Sequence, residues 1–418
     1  MSDPRTDLDV GQALTAWMAE VAPDRAPARL FEETFAKTMQ ASQVRVYPWH
    51  KAAIGSLGWG RGRSRALLLL ALVALVVAAT AVGLSGVGFR ATVPPIPSPS
   101  PAPSVSPSIA PSAALPSPIS VTPEATIANQ QPIAMIAAGA ALWVMAPGRL
   151  DRIDPKANAV SGSVALGPTT DLYNGLAANA TGLWATDSDA AVVYRVDPKT
   201  LKLVATIPAG LSSKGVFATD AGVWVADVHG GSVLRVNPKT NKVVATITVG
   251  PTGNSGPNWL ANGLGSIWVD IPNNDTIVRI DPVTNKIQAT IPASAGHTPC
   301  GGIAVGTTAV WITGCSVTSG MARIDPTTNS AGAVVSLGGY GYNPTLINGV
   351  PWVSVDTGNA ATGRLVRIDP VTNTIDRVLV PGATFGGGGD IAVAAGSVWV
   401  VDGYNNTIFR LPLTAFGS

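Results

Sequence analysis

Residues 265–293 read GSIWVDIPNNDTIVRIDPVTNKIQATIPA, and this stretch holds the plan of most of the chain. Runs that alternate apolar and polar residues, SIWVD, TIVRI and KIQATI, are separated by Gly, Pro, Asn and Asp. Alternation with period two, punctuated in this way, marks short antiparallel strands joined by tight turns. The Trp at its centre recurs at Trp143, Trp184, Trp224, Trp268, Trp311, Trp352 and Trp399, at spacings of 41, 40, 44, 43, 41 and 47. A second mark follows each Trp: Arg152-Ile-Asp154-Pro155, Arg195-Val-Asp197-Pro198, Arg235-Val-Asn237-Pro238, Arg279-Ile-Asp281-Pro282, Arg323-Ile-Asp325-Pro326 and Arg367-Ile-Asp369-Pro370. In the seventh unit it is reduced to Arg410-Leu411-Pro412.

One unit contains four such runs, as in GGIAV, AVWIT, MARID and AGAVVSL. Four antiparallel strands every 40 to 47 residues, seven times over, is the arithmetic of an all-β, seven-bladed β-propeller. The last unit stops before its fourth strand, while PEATIA at 123–128 matches KVVATI and KIQATI of the middle units. That N-terminal strand is expected to complete the last blade, so that no open sheet edge is left.

The pieces GVWVADVHGGSVLRVNPKTNKVVATITVG and GSIWVDIPNNDTIVRIDPVTNKIQATI resemble the YVTN-type β-propeller family, and more loosely the virginiamycin B lyase and quinoprotein-like propellers. The resemblance spans residues 124–418 and implies the propeller fold. A propeller by itself names no activity, because the fold hosts binders, scaffolds and several enzyme chemistries.

Upstream, ALLLLALVALVVAATAVGLSGVGF at 66–89 runs for 24 residues without a charge, enough to cross a membrane as one helix. Arg61, Arg63 and Arg65 precede it and only Arg90 follows closely, so the positive-inside bias puts the N-terminus in the cytoplasm and the bulk of the chain outside the cell membrane. The 65 residues before the apolar run exceed a signal-peptide n-region, which argues for an uncleaved signal anchor in a single-pass membrane protein. Residues 94–123 contain 11 Pro and 8 Ser and read as the body of a semi-rigid stalk over 90–123. Residues 1–65 carry two amphipathic helical patterns, one on Val10, Leu14, Trp17, Met18 and Val21, the other on Leu30, Phe31, Phe35 and Met39. This segment, DLDVGQALTAWMAEVAPDRAPARLFEETFAKTMQASQ, resembles the N-terminal segment of membrane-anchored anti-sigma-factor-like proteins, which implies a cytoplasmic regulatory partner. The His and Cys cluster with which many such domains bind zinc is absent, since the segment has His50 and no Cys.

Charge excludes one class of partner. From residue 124 onward 18 acidic residues face 17 basic ones, and the whole chain carries a formal net charge of +2, which leaves no footprint for nucleic acid.

Strand order places the D-P-x-T-N turns and the turns before each Trp strand on one face of the disc. The loops that leave the Trp strands and those that lead into the innermost strands lie on the other, and these vary most in length. Candidate ligand-binding residues gather there: Asp187, Asp227, His229, Trp259, Asp270, Asn274, His297, Tyr342, Asp390, Asp402 and Tyr404, with Asn258, Asn273, Asp275, Asn343, Asp356, Tyr173 and Tyr340 beside them. Asp and Asn are also good turn formers, which accounts for many of them without any ligand. Carboxylates and amides ringing a channel suit a hard cation such as Ca²⁺ or Mg²⁺; aromatic side chains among them suit a sugar or a peptide. No other cofactor is called for, and the metal, if there is one, is not named by the sequence. The lyase resemblance implies a metal-assisted His and Glu cluster, whereas this region offers His229, His297 and no Glu after Glu124. Asp227 and His229, two residues apart, are the candidate proton-transfer pair of that alternative, a metal-dependent lyase. The principal reading is a propeller that binds an extracytoplasmic ligand or protein and signals through the cytoplasmic segment.

Cys300 and Cys315 are symmetric about position 307.5, the centre of the GTTA turn at 306–309. They are therefore expected to face each other across neighbouring strands and form a disulfide; a metal site with His297 is the alternative.

Overall fold

The computed structural model describes residues 115–167, 174–253, 256–315, 320–382 and 384–417. The cytoplasmic segment, the membrane-spanning stretch and the stalk up to residue 114 lie outside the described residues, as does Tyr173.

Seven sheets succeed one another along the chain, six of four strands and one of five. Blade one is Ala134–Ala138, Ala141–Ala146, Arg149–Asp154 and Ala159–Ala165, each antiparallel to the next. The innermost strands of blades two to seven are Leu176–Asn179, Ser213–Thr219, Leu260–Gly263, Pro299–Val305, Tyr340–Ile347 and Ile391–Ala394. Each packs against the next around the ring, and that of blade seven packs against that of blade one. Closure follows the sequence expectation: Ala125–Ala128 pairs antiparallel with Thr407–Pro412, placing Thr126 opposite Phe409.

Three residues of the segment read as stalk do something more. Ile119–Val121 runs parallel to Thr374–Pro381 as a fifth, outermost strand of blade six, with Ser120 opposite Val380. The chain thus crosses from the edge of blade six to the edge of blade seven within four residues, tying the closing blade to its neighbour.

The core lies between blades. Trp184 of blade two packs on Val223, Val225 and Leu234 of blade three, Trp268 of blade four on Val310, Ile312 and Ile324 of blade five, and Trp399 of blade seven on Leu142, Val144 and Ile153 of blade one. Each of the seven repeated Trp residues is at most 2% exposed and fills one such interface. Burying a side chain of this size contributes several kcal/mol, roughly 3–5 by truncation to Ala.

The repeated Arg has a different partner from the one its spacing suggests. Arg and Asp in R-x-D share a strand face and are expected to pair, but the guanidinium instead lies over the Trp ring of its own blade, 5.4 Å away for Arg195, 5.2 Å for Arg235, 5.0 Å for Arg279 and 5.3 Å for Arg410. From there it reaches the next blade: Arg195 donates to the Pro238 carbonyl and Asn241 Oδ1, Arg279 to Pro326 and Asn329, and Arg410 across the closure to Pro155 and Asn158. The Asp caps its own turn, as where Asp281 Oδ1 accepts from the backbone N–H of Val283 at 2.7 Å and Thr284 at 3.1 Å. The Asn that ends the run adopts left-handed backbone, with φ of 55° at Asn241 and 57° at Asn285, a conformation Asn tolerates better than most residues. In blade two Leu201 stands in its place, also left-handed, and packs against the blade-one cluster.

Candidate functional site

On the face opposite those turns, the Trp strands of several blades end on an Asp that points back into the protein. Asp187, Asp227, Asp270 and Asp402 are each at most 4% exposed, and Asp356 is 5% exposed. Their oxygens are spent on neighbouring loops. Asp227 Oδ1 accepts from the backbone N–H of Leu211, Ser212 and Gly230 at 2.8, 3.1 and 3.1 Å, and Oδ2 accepts from Ser232 Oγ. A Cβ at Gly210 or Gly230 would collide with this carboxylate, so those glycines are required by the close approach. Asp402 holds Gly386 N–H and Asn405; Asp187 holds Ala190 N–H and the Tyr194 hydroxyl; Asp356 holds Gly358 N–H and, at 2.8 Å, the Tyr404 hydroxyl. These residues clamp the loops in place.

The expected pairing of Asp227 with His229 does not form. The His229 side chain is exposed, and all of Asp227's bonds go to the loop groups just named. Asn274 and Asp275 lie exposed in the turn after Ile271, where Asp275 accepts from Thr298 Oγ1, and His297 is buried nearby in the following blade connection. Among the described residues no three His, Cys, Asp or Glu side chains come together in a way that would hold a metal ion. Cys300 and Cys315 are bonded, their Cα atoms 5.3 Å apart, as the position of the turn predicts. A bulge between Pro299 and Gly302 shifts the register beside this bond, and Cys315 N–H donates to the Thr298 carbonyl.

What converges is the mouth of the channel. A cavity of about 450 Å³ is lined by all seven innermost strands and by residues just before them, among them Met135, Asn174, Trp259, Tyr342, Asn343 and Asp390. Asp390 Oδ2 accepts from Met135 N–H at 2.7 Å, and Oδ1 accepts from Asn343 Nδ2. Burial pushes the Asp390 carboxyl up to about 6, and these two donors offset only part of that shift. Trp259 is held from two sides: its N–H donates to Asp270 Oδ1 at 2.6 Å, and its indole N–H donates to the Cys300 carbonyl at 2.9 Å. Asp270 is pushed up to about 7 by burial, against the pull of the Trp259 and Asn258 amides and the charge of Lys214, and its Oδ2 is buried without a hydrogen-bond partner. A second cavity of about 340 Å³ shares Ile133, Tyr342 and Gly388 with the first and adds Asp356 and Tyr404. A third, of about 430 Å³, lies between blades two and three against Asp189, Lys214 and His229.

Sequence reasoning placed Trp259, Tyr342 and Asp390 on this face, and the structure gathers them around one opening. It missed Asn174 and Met135, whose residue types give no sign of a site. It also missed Asp151, 3% exposed, which accepts from Asn129 Nδ2, Arg149 Nε and Ser163 Oγ. There the signal was available: the residue before the repeated Arg is apolar or aromatic in every other unit, as at Leu234, Val278 and Phe409.

Fold and cavity together define the class: a seven-bladed β-propeller whose variable face carries a ligand-sized opening. No known family model matches the sequence, and no curated protein matches it. Solved structures do. A streptogramin B lyase superposes with a TM-score of 0.56 at 18% identity, covering 68% of this chain and 93% of that one. Kuenenia stuttgartiensis hydrazine synthase gives 0.55 at 11% identity over 68% and 96%, and U3-55K gives 0.55 at 8% over 68% and 95%. Likenesses this even, to proteins with such different names, show the fold and leave the chemistry to the residues of this chain.

Proposed function

We propose that this chain is a membrane-anchored receptor whose propeller, held outside the cell membrane on a Pro/Ser stalk, binds a ligand at the channel mouth and reports its presence through the cytoplasmic segment. The anchor rests on the charge-free run at 66–89 with its Arg-rich cytoplasmic flank, and an oxidising outer compartment suits the Cys300–Cys315 bond. Binding rests on one observation. The cavity of about 450 Å³ is of ligand size, and its polar groups sit in or directly before the innermost strands and are held by hydrogen bonds, Asp390 by Met135 N–H and Asn343, and Trp259 by Asp270 and the Cys300 carbonyl. A lyase reading draws on the likeness to streptogramin B lyase, but among the described residues no three His, Cys, Asp or Glu side chains come together to support it.

The test is a thermal-shift screen of the full chain in detergent against sugars, peptides and small organic ions, beside an Ala137→Trp variant. Ala137 is exposed to the channel, so the indole occupies the opening without disturbing the core. Ligands that raise the melting temperature of the native chain and not of the variant support the reading. Hits indifferent to Ala137→Trp overturn it.

A further inference from the structure

We propose that the channel-mouth cavity is built for an organic cation, an alkyl- or arylammonium group, with Asp390 as its counter-ion and Trp259 and Tyr342 as its aromatic walls. This rests on the reading of the cavity as the ligand site. Three features of the cavity carry it.

Asp390 is the one charged side chain among the described residues lining the cavity; much of the remaining wall is apolar, as at Ile133, Ile303 and Ile391. Its protein partners, Met135 N–H and Asn343 Nδ2, are neutral donors, and among the described residues no Arg, Lys or His forms an ion pair with it. Asp151, by contrast, is more deeply buried but has Arg149 at 2.9 Å. A carboxylate half-removed from water and left without a counter-charge is costly, and each Asp390 oxygen has acceptor capacity beyond its single bond. An ammonium group entering the cavity supplies the missing charge. Trp259 and Tyr342 line the same cavity, and an aromatic ring there attracts the same charge through its quadrupole, which a neutral or anionic ligand does not exploit.

The titratable surroundings are few. Tyr342 lines the same cavity, Asp356 and Tyr404 line the adjoining one, and Asp270 with Lys214 lies behind Trp259. Asp390, with its carboxyl near 6, is thus the group in the cavity that changes charge between pH 5 and 7.5, and it is ionised at the upper end. A cation of fixed charge therefore binds well at pH 7.5 and about tenfold more weakly at pH 5, where about a tenth of the site carries its charge.

The experiment is calorimetry on the full chain in non-ionic detergent with three probes: benzyltrimethylammonium, benzyl alcohol and phenylacetate. The expected result is that benzyltrimethylammonium binds at least tenfold more tightly than the other two. Its affinity falls about tenfold from pH 7.5 to 5, and Asp390→Asn removes the preference. The pH titration of the native chain keeps the test decisive if that variant fails to fold. Equal binding of cation and alcohol, affinity flat across pH, or no binding of the cation overturns the proposal. Where benzyl alcohol binds the native chain and Ala137→Trp abolishes that binding, the cavity reading stands and only the charge preference has failed.

Discussion

On one face of the propeller six turns repeat one geometry, and on the other the connections that lead into the innermost strands differ from blade to blade in length and sequence. The D-P-x-T-N face is held by local caps and by Arg straps that pass from each blade to the next, as from Arg279 to Pro326 and Asn329. The variable face is held by buried carboxylates, one loop at a time, as Asp227 holds Leu211, Ser212 and Gly230. The first arrangement spreads its cost over many equivalent, exposed positions. The second concentrates it in single buried charges, leaving the loops between them free to differ in length and to line a cavity. Function sits where the repetition breaks, because only there does each blade present a different side chain to the same opening.

The largest expected effect comes from breaking one clamp. Asp227→Ala leaves the amides of Leu211, Ser212 and Gly230 and the buried Ser232 hydroxyl without their acceptor and is expected to cost about 4 kcal/mol, read from urea denaturation. His229→Ala is expected to leave stability within about 0.5 kcal/mol, because that side chain is exposed. Comparable losses in the two variants would mean that the residues act as a pair after all.

Acid separates the two faces in sign. Asp154, Asp197, Asp281, Asp325 and Asp369 lie on the turn face, and each is held below the usual carboxylate range, chiefly by the backbone N–H groups it caps. Their contribution is complete above the unfolded value near 3.8 and is lost as pH falls through the lower folded values. Asp270, raised to about 7, does the reverse. The folded state takes up a proton that the unfolded chain refuses until about pH 4, so stability rises as pH falls from 8 to 4, by on the order of a few kcal/mol. Asp390, raised to about 6, adds to the same slope, so Asp270→Asn is expected to reduce it in denaturation curves at pH 5 and 8; an unchanged slope would place the whole effect on Asp390 or another group.

How much of this the sequence discloses depends on distance along the chain. The Trp spacing reveals the blade number, and the likeness of PEATIA to KVVATI reveals the closing strand, because both compare like with like. The disulfide follows from one hairpin's symmetry. Arg195 is harder: its acceptor, Asn241, lies 46 residues away in the next blade, while Asp197 is two residues away and looks like the partner. The same holds for the parallel strand Ile119–Val121, whose partner Leu379–Pro381 no local pattern marks. At the site, residue type told which face and not which role. An Asp that caps a loop and an Asp that faces a cavity are spelled alike, and only burial and partners separate Asp227 from Asp390.

A smaller effect belongs to one strap. Arg279→Lys keeps the charge and loses the planar group that covers Trp268 and bonds Pro326 and Asn329 together. A loss of about 1–2 kcal/mol is expected, nearly the same as for Arg279→Ala, since a Lys does not reproduce the fork. Full rescue by Lys would show that charge alone holds the blades.

The smallest change is a gain, and it tests whether the turn face is as local as it looks. The turn between Ala394 and Ser397 places Ala395 and Gly396 at φ of 49° and 75°, both left-handed. Its counterpart in blade six uses Asn348 and Gly349 at 51° and 78°. A two-residue hairpin of this kind favours Asn-Gly, since Asn occupies the left-handed region at less cost than Ala. Ala395 is exposed, so the substitution displaces no core contact. Ala395→Asn is therefore expected to stabilise by roughly 0.5–1 kcal/mol, visible as a small rise in melting temperature with an unchanged denaturant slope. A comparable gain from an equally conservative change in a loop of the cavity face is not expected, because those loops are set by the buried carboxylates they bond to rather than by their own backbone preferences. If Ala395→Asn instead destabilises, the turn is under constraint from its neighbours, and the division between turns set by their own backbone and loops set by buried carboxylates fails at its simplest point.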